Sequence, residues 1–172
     1  MLQLWKRPNI VFWSGETMSN TNVNLRGKAP SDSAIEMAEL VLPNDTNLLG
    51  NLMGGRLMHW MDIAGALTAS RHSNKTVATV SMDGLVFTHP IRMGEMVMLK
   101  AKITYVGKTS MLVHIKVFAE NLKTGSTLLT NEAHLTFVAL DDNGMPSPVP
   151  PLLPQTEEEI EIFKTEKEKR KR

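Results

Sequence analysis

One segment of the sequence, residues 54–70, is apolar on almost every side and contains a single carboxylate, Asp62. Apolar residues at helical spacing around a whole circumference predict a helix that is covered on all its faces. Such a helix needs a sheet that encloses it. Asp62 is the exception in this segment, because an unpaired carboxylate in apolar surroundings is costly.

Strands are predicted on both sides of this helix. One precedes it, over 35–42, and four follow, over 77–87, 97–105, 111–119 and 127–140. The run 77–87 is largely apolar and β-branched, which is typical of a strand covered on both faces. The next two runs alternate polar and apolar residues, as half-buried strands do. Short glycine-containing turns at 106–109 and 123–126 predict antiparallel hairpins, so the predicted fold class is α+β, with one antiparallel sheet curved around one long helix.

The chain divides into three predicted regions. Residues 1–33 lack apolar periodicity and are expected to form a flexible arm, 34–145 form the domain of sheet and helix, and 146–172 form a proline-rich link and a charged C-terminal helix. Thr156 and Glu159 have the spacing of a capping box, and the acidic first turn and basic end suit the helix dipole.

Composition excludes several classes of protein. The absence of cysteine rules out disulfides, thiolate catalysis and cysteine-based metal sites. A net charge of +1 and an aromatic content of 5% argue against nucleic-acid binding. No segment approaches the roughly 20 apolar residues of a membrane span. We therefore expect a soluble, cytoplasmic protein with no membrane or nucleic-acid partner.

A series of short motifs carries a family resemblance. In chain order they are NLLGNLMGG at 47–55, DIAG at 62–65, VSMD at 80–83, Phe87, GKTS at 107–110 and PVP at 148–150. In this order and at these intervals the chain resembles the hotdog-fold acyl-CoA thioesterases over residues 35–160. The resemblance is greatest to the branch of bacterial short- and medium-chain acyl-CoA hydrolases and the brain-type cytosolic enzyme.

The resemblance implies a fold, an assembly and a reaction. The fold is a hotdog, in which a curved antiparallel sheet wraps a central helix and pairs with a second protomer. The assembly is a homodimer, with three dimers forming a homohexamer. The reaction is hydrolysis of acyl-CoA to a carboxylic acid and CoA, without a metal or another cofactor.

The same resemblance implies roles for two side chains. Asn51 corresponds to a loop asparagine that positions the thioester and the water, and Asp62 corresponds to a helix carboxylate that activates the water. Whether Asp62 acts as a general base or as a nucleophile stays open. A structural role in which Asp62 pairs with Arg56 or His59 also stays open.

The start of the helix suits the same chemistry on physical grounds. The backbone N–H groups of Gly54 and Gly55 are free at a helix start, where they suit a developing oxyanion. Gly55 and Asp62 are about 10 Å apart along one helix and cannot easily reach the same carbonyl. Two antiparallel helices related by a two-fold axis would bring them together, so the sequence predicts a site shared between two subunits.

The remaining candidates are weaker and have structural alternatives. Gly107, Lys108, Thr109 and Ser110 are candidate contacts for the CoA moiety, or simply a hairpin turn, and Arg71 is a further candidate for its phosphates. The rival functions are a non-catalytic acyl-CoA-binding module and a hotdog hydratase or dehydratase. A serine hydrolase is disfavoured because no Gly-x-Ser-x-Gly motif is present.

Overall fold

The computed structural model describes residues 25–170. Its regular elements in chain order are α1 (Pro30–Ser33), β1 (Ile35–Leu40), a 3-10 turn (Pro43–Asp45), α2 (Gly54–Ser73), β2 (Thr76–Asp83), β3 (Met96–Val106), β4 (Ser110–Asn121), β5 (Ser126–Leu140) and α3 (Glu157–Lys169). No helix in this part of the chain has the length and apolar character needed to cross a bilayer.

The five strands form one sheet in the order β1-β3-β4-β5-β2, and all neighbours are antiparallel. Both predicted hairpins are therefore confirmed, and β2 pairs with β5 rather than with β3. Register shifts interrupt the ladders between Thr79 and Ser81, Ile103 and Tyr105, and Val117 and Phe118. Shifts of this kind bend strands and increase their twist, which curves the sheet around α2 and confirms the predicted fold class.

The central helix packs against the inner face of the sheet. Met61 and Ala64 of α2 are fully buried, as are Leu135 and Phe137 of β5. A Cβ atom on Gly65 would lie 2.8 Å from the Phe137 ring, so only glycine permits this close approach. The helix ends at Ser73, and the next residue, Asn74, forms its C-cap with a left-handed φ of 55° and an N–H that donates to the Ser70 carbonyl.

The strand β2 differs from its prediction. It ends at Asp83 rather than at residue 87, because Gly84 turns the chain with a φ of 79°. It is an edge strand and mostly exposed, with 62% of Val80 accessible. Met58 and Leu67 on the adjoining helix are also exposed. The predictions that β2 is covered on both faces and α2 on every side are therefore wrong for a single copy of the chain.

The segments on either side of the sheet domain pack against it. The Lys28 N–H donates to the Pro151 carbonyl at 3.0 Å, and the Leu153 N–H donates to the Lys28 carbonyl at 2.8 Å. The buried His72 of α2 lies within hydrogen-bond distance of Ser33 Oγ (3.2 Å) and of the Pro150 carbonyl (3.0 Å). Part of the predicted arm, residues 28–33, therefore belongs to the packed structure, whereas residues 1–24 of that arm lie outside the described residues.

The C-terminal helix α3 lies on the outer face of the sheet. Thr156 Oγ1 accepts a hydrogen bond from the Glu159 N–H at 3.2 Å, which confirms the Thr156 half of the predicted capping box, whereas Glu159 Oε2 accepts from the Gln155 N–H at 2.9 Å instead of from that of Thr156. The Phe163 and Tyr105 rings are 5.4 Å apart, so α3 packs against β3. None of the side chains of α3 is fully buried.

Candidate active site

Asp62 lies on the face of α2 that meets β2 and is partly exposed in the single chain. Thr79 Oγ1 donates a hydrogen bond of 2.6 Å to Asp62 Oδ1. Thr79 points inward because it opposes Phe137 of the core in the β2–β5 ladder. The alternative in which Arg56 pairs with Asp62 is wrong, since Arg56 Nε instead contacts Asp45 Oδ1 at 2.8 Å. The carboxylate is therefore held through one oxygen by a neutral hydroxyl.

The start of α2 leaves backbone donors without partners. Within the described residues, neither the Gly54 nor the Gly55 N–H makes a hydrogen bond, and Met53 at the N-cap contributes no side-chain cap. The two glycines differ in their surroundings. A Cβ on Gly54 would lie 3.0 Å from the Phe87 ring, whereas a Cβ on Gly55 would have no atom within 4 Å. Gly54 thus allows tight packing, and Gly55 is open to a ligand.

The loop before α2 is held by an asparagine. Asn47 Oδ1 accepts hydrogen bonds from the N–H groups of Leu49 (2.9 Å) and Asn51 (3.2 Å). Gly50 has a φ of 75°, which permits the turn between them. The Asn47 amide nitrogen makes no hydrogen bond with any of residues 25–170, so its N–H groups remain available. Asn47 was not among the predicted site residues, although it begins the motif that contains Asn51.

A cavity of about 410 Å³ opens beside the start of the helix. Its lining is Asn47, Asn51, Leu52, Gly54, Leu57, Phe87, Thr88, His89, Pro90, Ile91 and Asn131. The structure therefore brings Asn51 and Gly54 together, with Asn47 and Asn131 as additional polar residues. Asp62 does not line this cavity in the same chain.

The candidates for CoA binding lie at the other end of the helix. Arg71 is sixteen positions after Gly55, about 24 Å along α2, and its Nη1 donates to the Ala34 carbonyl at 2.8 Å. The hairpin turn lies near the same end, because the Thr109 carbonyl accepts from the Ala139 N–H at 2.9 Å and Ala139 pairs with Val77 at the start of β2. Gly107 and Ser110 close the turn with a hydrogen bond of 2.8 Å. Lys108 is exposed and forms no ion pair within residues 25–170. One chain does not bring these residues to the cavity.

Comparisons place the chain in a family. Residues 49–126 match the model of the thioesterase superfamily. The chain is 42% identical over 134 residues to a Bacillus subtilis protein, the uncharacterized acyl-CoA thioester hydrolase YkhA, and the match covers 78% of each. The chain belongs to the thioesterase superfamily, as the resemblance in its motifs predicts.

Two solved structures share the fold. A hexameric acyl-CoA thioesterase matches with a TM-score of 0.81 and 39% identity, covering 86% of this chain and 94% of that one. The acyl-CoA hydrolase of Staphylococcus aureus, solved with butyryl-CoA and CoA, matches with a TM-score of 0.76 and 34% identity, covering 84% and 90%.

Variants of the Staphylococcus aureus hydrolase add a comparison of spacing. In separate variants of that enzyme an aspartate, an asparagine and a threonine are each replaced by alanine. The asparagine precedes the aspartate by fifteen positions, and the threonine follows it by seventeen. In this chain Asn47 and Thr79 stand at the same intervals from Asp62. Asn51, by contrast, is eleven positions before Asp62.

Proposed function

We propose that this protein hydrolyses acyl-CoA thioesters to a free carboxylic acid and CoA. The observation that carries the proposal is the hydrogen bond of 2.6 Å between Thr79 and Asp62. It fixes one oxygen of a carboxylate beside the edge of the sheet and leaves the other oxygen able to accept a proton. The thioesterase superfamily and its acyl-CoA hydrolases support this choice of substrate.

In the proposed reaction Asp62 acts as a general base. It takes a proton from a water molecule whose oxygen attacks the thioester carbonyl carbon. The N–H groups of Gly54 and Gly55 stabilise the oxyanion, because they are preorganised and have no other acceptor among residues 25–170. The C–S bond then breaks, the carboxylic acid is released, and the proton passes to the sulfur of CoA. A nucleophilic Asp62 remains the alternative. A single turnover in 18O-labelled water that gives unlabelled carboxylic acid would show a mixed anhydride opened by water at the Asp62 carboxyl carbon, because the acid then carries an oxygen of Asp62.

We infer that each site is built from two copies of the chain. Asp62 and the start of α2 are too far apart along one helix to meet at one carbonyl, and Asp62 does not line the cavity at that helix start. The exposed edge of β2 and the exposed Met58 and Leu67 of α2 offer an apolar surface to a second copy. A homodimer formed there would place one Asp62 opposite the other Gly55. Three such dimers would give the homohexamer that the resemblance predicts, in agreement with the hexameric relative.

The loop asparagine has two candidates. Asn51 is the residue that the motif predicts, whereas Asn47 has the interval from Asp62 that the Staphylococcus aureus enzyme has. Asn47 already uses its side-chain oxygen within the loop, so its free amide N–H groups are the atoms available to the substrate. We propose Asn47 as the donor, and Asn51 as a second polar wall of the cavity.

Asn47→Asp separates the two residues experimentally. It keeps the oxygen that holds the loop and removes the donor, so we expect kcat to fall about 10- to 100-fold with little change in the melting temperature. Asn51→Ala is the matched variant and should cost less than tenfold. The opposite order of effects would restore Asn51 as the positioning residue.

We propose that the CoA moiety is bound by Arg71 and by the turn formed by Gly107, Lys108, Thr109 and Ser110. These residues lie far from the cavity in their own chain, so they would serve a site completed by another copy. No metal or other cofactor takes part in the proposed chemistry. Hydrolysis that survives prolonged chelation would agree with this, and a loss that added metal restores would contradict it.

The decisive experiment is a free-thiol release assay with a panel of acyl-CoA substrates. We expect release of CoA that depends on Asp62, with Asp62→Asn at least about 10³-fold slower while remaining folded and oligomeric. Tight binding of acyl-CoA without release would favour the non-catalytic module. Hydration of enoyl-CoA without thiol release would favour the hydratase.

A further inference from the structure

Asn131 on β5 has a buried side-chain amide whose oxygen lacks a hydrogen-bond partner among the described residues. The residue is 4% exposed and opposes Val117 on the inner face of the sheet. Its Nδ2 donates a hydrogen bond of 2.6 Å to the Val86 carbonyl. Its Oδ1 is the only buried side-chain nitrogen or oxygen, among residues 25–170, that has no hydrogen-bond partner.

The orientation of this amide is determined by its contact with Val86. If the nitrogen and oxygen were exchanged, two carbonyl oxygens would face each other at 2.6 Å, which is repulsive. The oxygen is therefore the atom without a partner. A buried acceptor that lacks a donor is costly, and native proteins usually supply one.

The side chain stands at the wall of the cavity beside the helix start. It lines that cavity together with Asn51 and Gly54, and it also lines a smaller cavity of about 290 Å³. Of these two cavities only the larger is lined by residues of the start of α2, so a substrate held there is the candidate donor to Oδ1. The inference that follows rests on the proposed function, which puts a thioester carbonyl at the start of α2.

The two arms of an acyl-CoA differ in what they can donate. A saturated acyl chain has no hydrogen-bond donor, whereas the pantetheine arm has amide N–H groups, the first of them two carbons from the sulfur. The cavity wall contains five polar side chains, among them Asn47, Asn51 and Asn131. The other side chains of the wall are apolar, so the wall suits an arm that alternates amides with methylene groups better than a plain hydrocarbon chain.

We propose that Asn131 Oδ1 accepts a hydrogen bond from the pantetheine amide N–H nearest the thioester sulfur. The cavity beside the helix start then holds this part of CoA. Asn131 thereby sets the position of the thioester relative to the Gly54 and Gly55 N–H groups. The bond to Val86 keeps the oxygen in place before the substrate arrives.

The test uses two substrates that differ in one atom. One is butyryl-CoA, and the other is an analogue in which oxygen replaces that amide N–H, giving an ester of nearly the same shape. We expect the wild-type protein to favour the amide by about tenfold in kcat/KM, the effect of one hydrogen bond to a buried acceptor. Asn131→Leu, which is similar in size, should lower this ratio to about one, whatever the loss of its bond to Val86 does to the rates of both substrates.

Thr88→Val is the matched control. Thr88 Oγ1 donates to the Thr130 carbonyl at 2.7 Å, so it ties the same loop to the same strand as the Asn131 bond to Val86. Removing it loosens the loop and keeps the Asn131 oxygen. Whatever happens to the absolute rate, the amide-to-ester ratio of Thr88→Val should equal that of the wild type.

Each outcome is decisive. A wild-type protein with no preference for the amide overturns the inference without any variant, and so does an Asn131→Leu protein that keeps the preference. Equal slowing of both substrates would assign Asn131 to loop structure or to the attacking water instead. If the wild-type protein hydrolyses neither substrate nor any other acyl-CoA, the proposed function fails, whereas equal hydrolysis of both leaves it standing and removes only the role of Asn131.

Discussion

At the scale of single residues, the proposed chemistry depends on a carboxylate whose two oxygens have different environments. Thr79 donates to Asp62 Oδ1 at 2.6 Å, and the other oxygen makes no hydrogen bond within residues 25–170. A hydroxyl donor fixes the plane of the carboxylate without adding a second charge. Arg56 cannot neutralise Asp62 because it pairs with the buried Asp45. The negative charge of Asp62 therefore remains available to a water molecule.

Thr79→Val tests this arrangement. The variant keeps the shape of the side chain and loses the hydroxyl, so the Asp62 carboxylate is free to rotate. We expect kcat to fall about 10- to 100-fold, because hydrogen bonds to charged groups are the stronger ones. Thr79→Ser keeps the donor and should retain most of the rate. Equal losses in the two variants, measured by steady-state thiol release, would mean that the hydroxyl does not orient Asp62.

The sequence predicted the residues of this site unevenly. Asp62 is conspicuous because it is a charge on an apolar helix, and the pair Gly54 and Gly55 is conspicuous because it begins that helix. Asn47 and Asn51 lie four positions apart in one motif, and what distinguishes Asn47 is the pair of bonds to its side-chain oxygen and its interval from Asp62. Nothing in the sequence around Asn131 marks it as a site residue. Its unpartnered oxygen follows from the register of β5 and the path of the loop that contains Val86.

At the scale of secondary-structure elements, the packing of α2 against β5 depends on one glycine. Gly65 lies against the Phe137 ring so closely that an added methyl group would be 2.8 Å away. The helix is thereby seated deeply enough for its Asp62 side to reach β2.

Gly65→Ala should therefore lower the free energy of unfolding by about 1–3 kcal/mol, the usual cost of overpacking a core. Gly55→Ala provides the contrast, because nothing lies within 4 Å of its added atom. That variant should unfold with an unchanged free energy, or one up to about 1 kcal/mol higher, since alanine favours the helix. Chemical denaturation of both proteins measures the difference, and similar losses in the two would contradict the close packing at Gly65.

The C-terminal half of α2 also contains a buried histidine. Burial lowers the pKa of His72 below its ordinary value of 6.5, although the Pro150 carbonyl raises it in part. The unfolded chain then binds more protons than the folded one as the pH falls through 6.5. The contribution of His72 to the free energy of unfolding should therefore be constant above pH 6.5 and should decrease below it.

Denaturation between pH 5 and 8 measures this slope, and His72→Gln should reduce it. The variant should not abolish the slope, because burial also lowers the pKa values of His114 and His134 on the outer face of the sheet. A slope that is the same in His72→Gln as in the wild type would mean that His72 does not contribute.

The elements were more predictable than their surroundings. The helix α2 was predicted over residues 54–70 and extends to Ser73, and the two hairpins have the predicted turns. Periodicity reports which side of an element is apolar, so these predictions held. It does not report which molecule covers that side. The strand β2 was therefore predicted to be buried, although in one copy of the chain it is an exposed edge.

At the scale of the whole molecule, a site shared between two subunits predicts the activity of mixtures of two inactive or weakened variants. Asp62→Asn disables one half of each site, and a variant of the helix-start side such as Asn47→Asp weakens the other half. A heterodimer of the two has one site with both halves intact and one with both altered. Because random mixing gives half heterodimers, co-expression of the two variants should restore about a quarter of the wild-type rate.

Each variant expressed alone is the control for this experiment. The restored rate should appear only when both chains are in one assembly, as judged by affinity purification through a tag on one of them. A mixture no faster than the average of the two separate variants would place the whole site within a single chain.

The open space around Gly55 has a practical consequence. The chain contains no cysteine, so Gly55→Cys would create a unique attachment point for a nitroxide spin label at a position where no described residue of its own chain crowds it. In an assembly of identical copies, pulsed dipolar spectroscopy would then report the spacing between equivalent helix starts. The arrangement of subunits would be measured in solution without a substrate and without reference to any turnover.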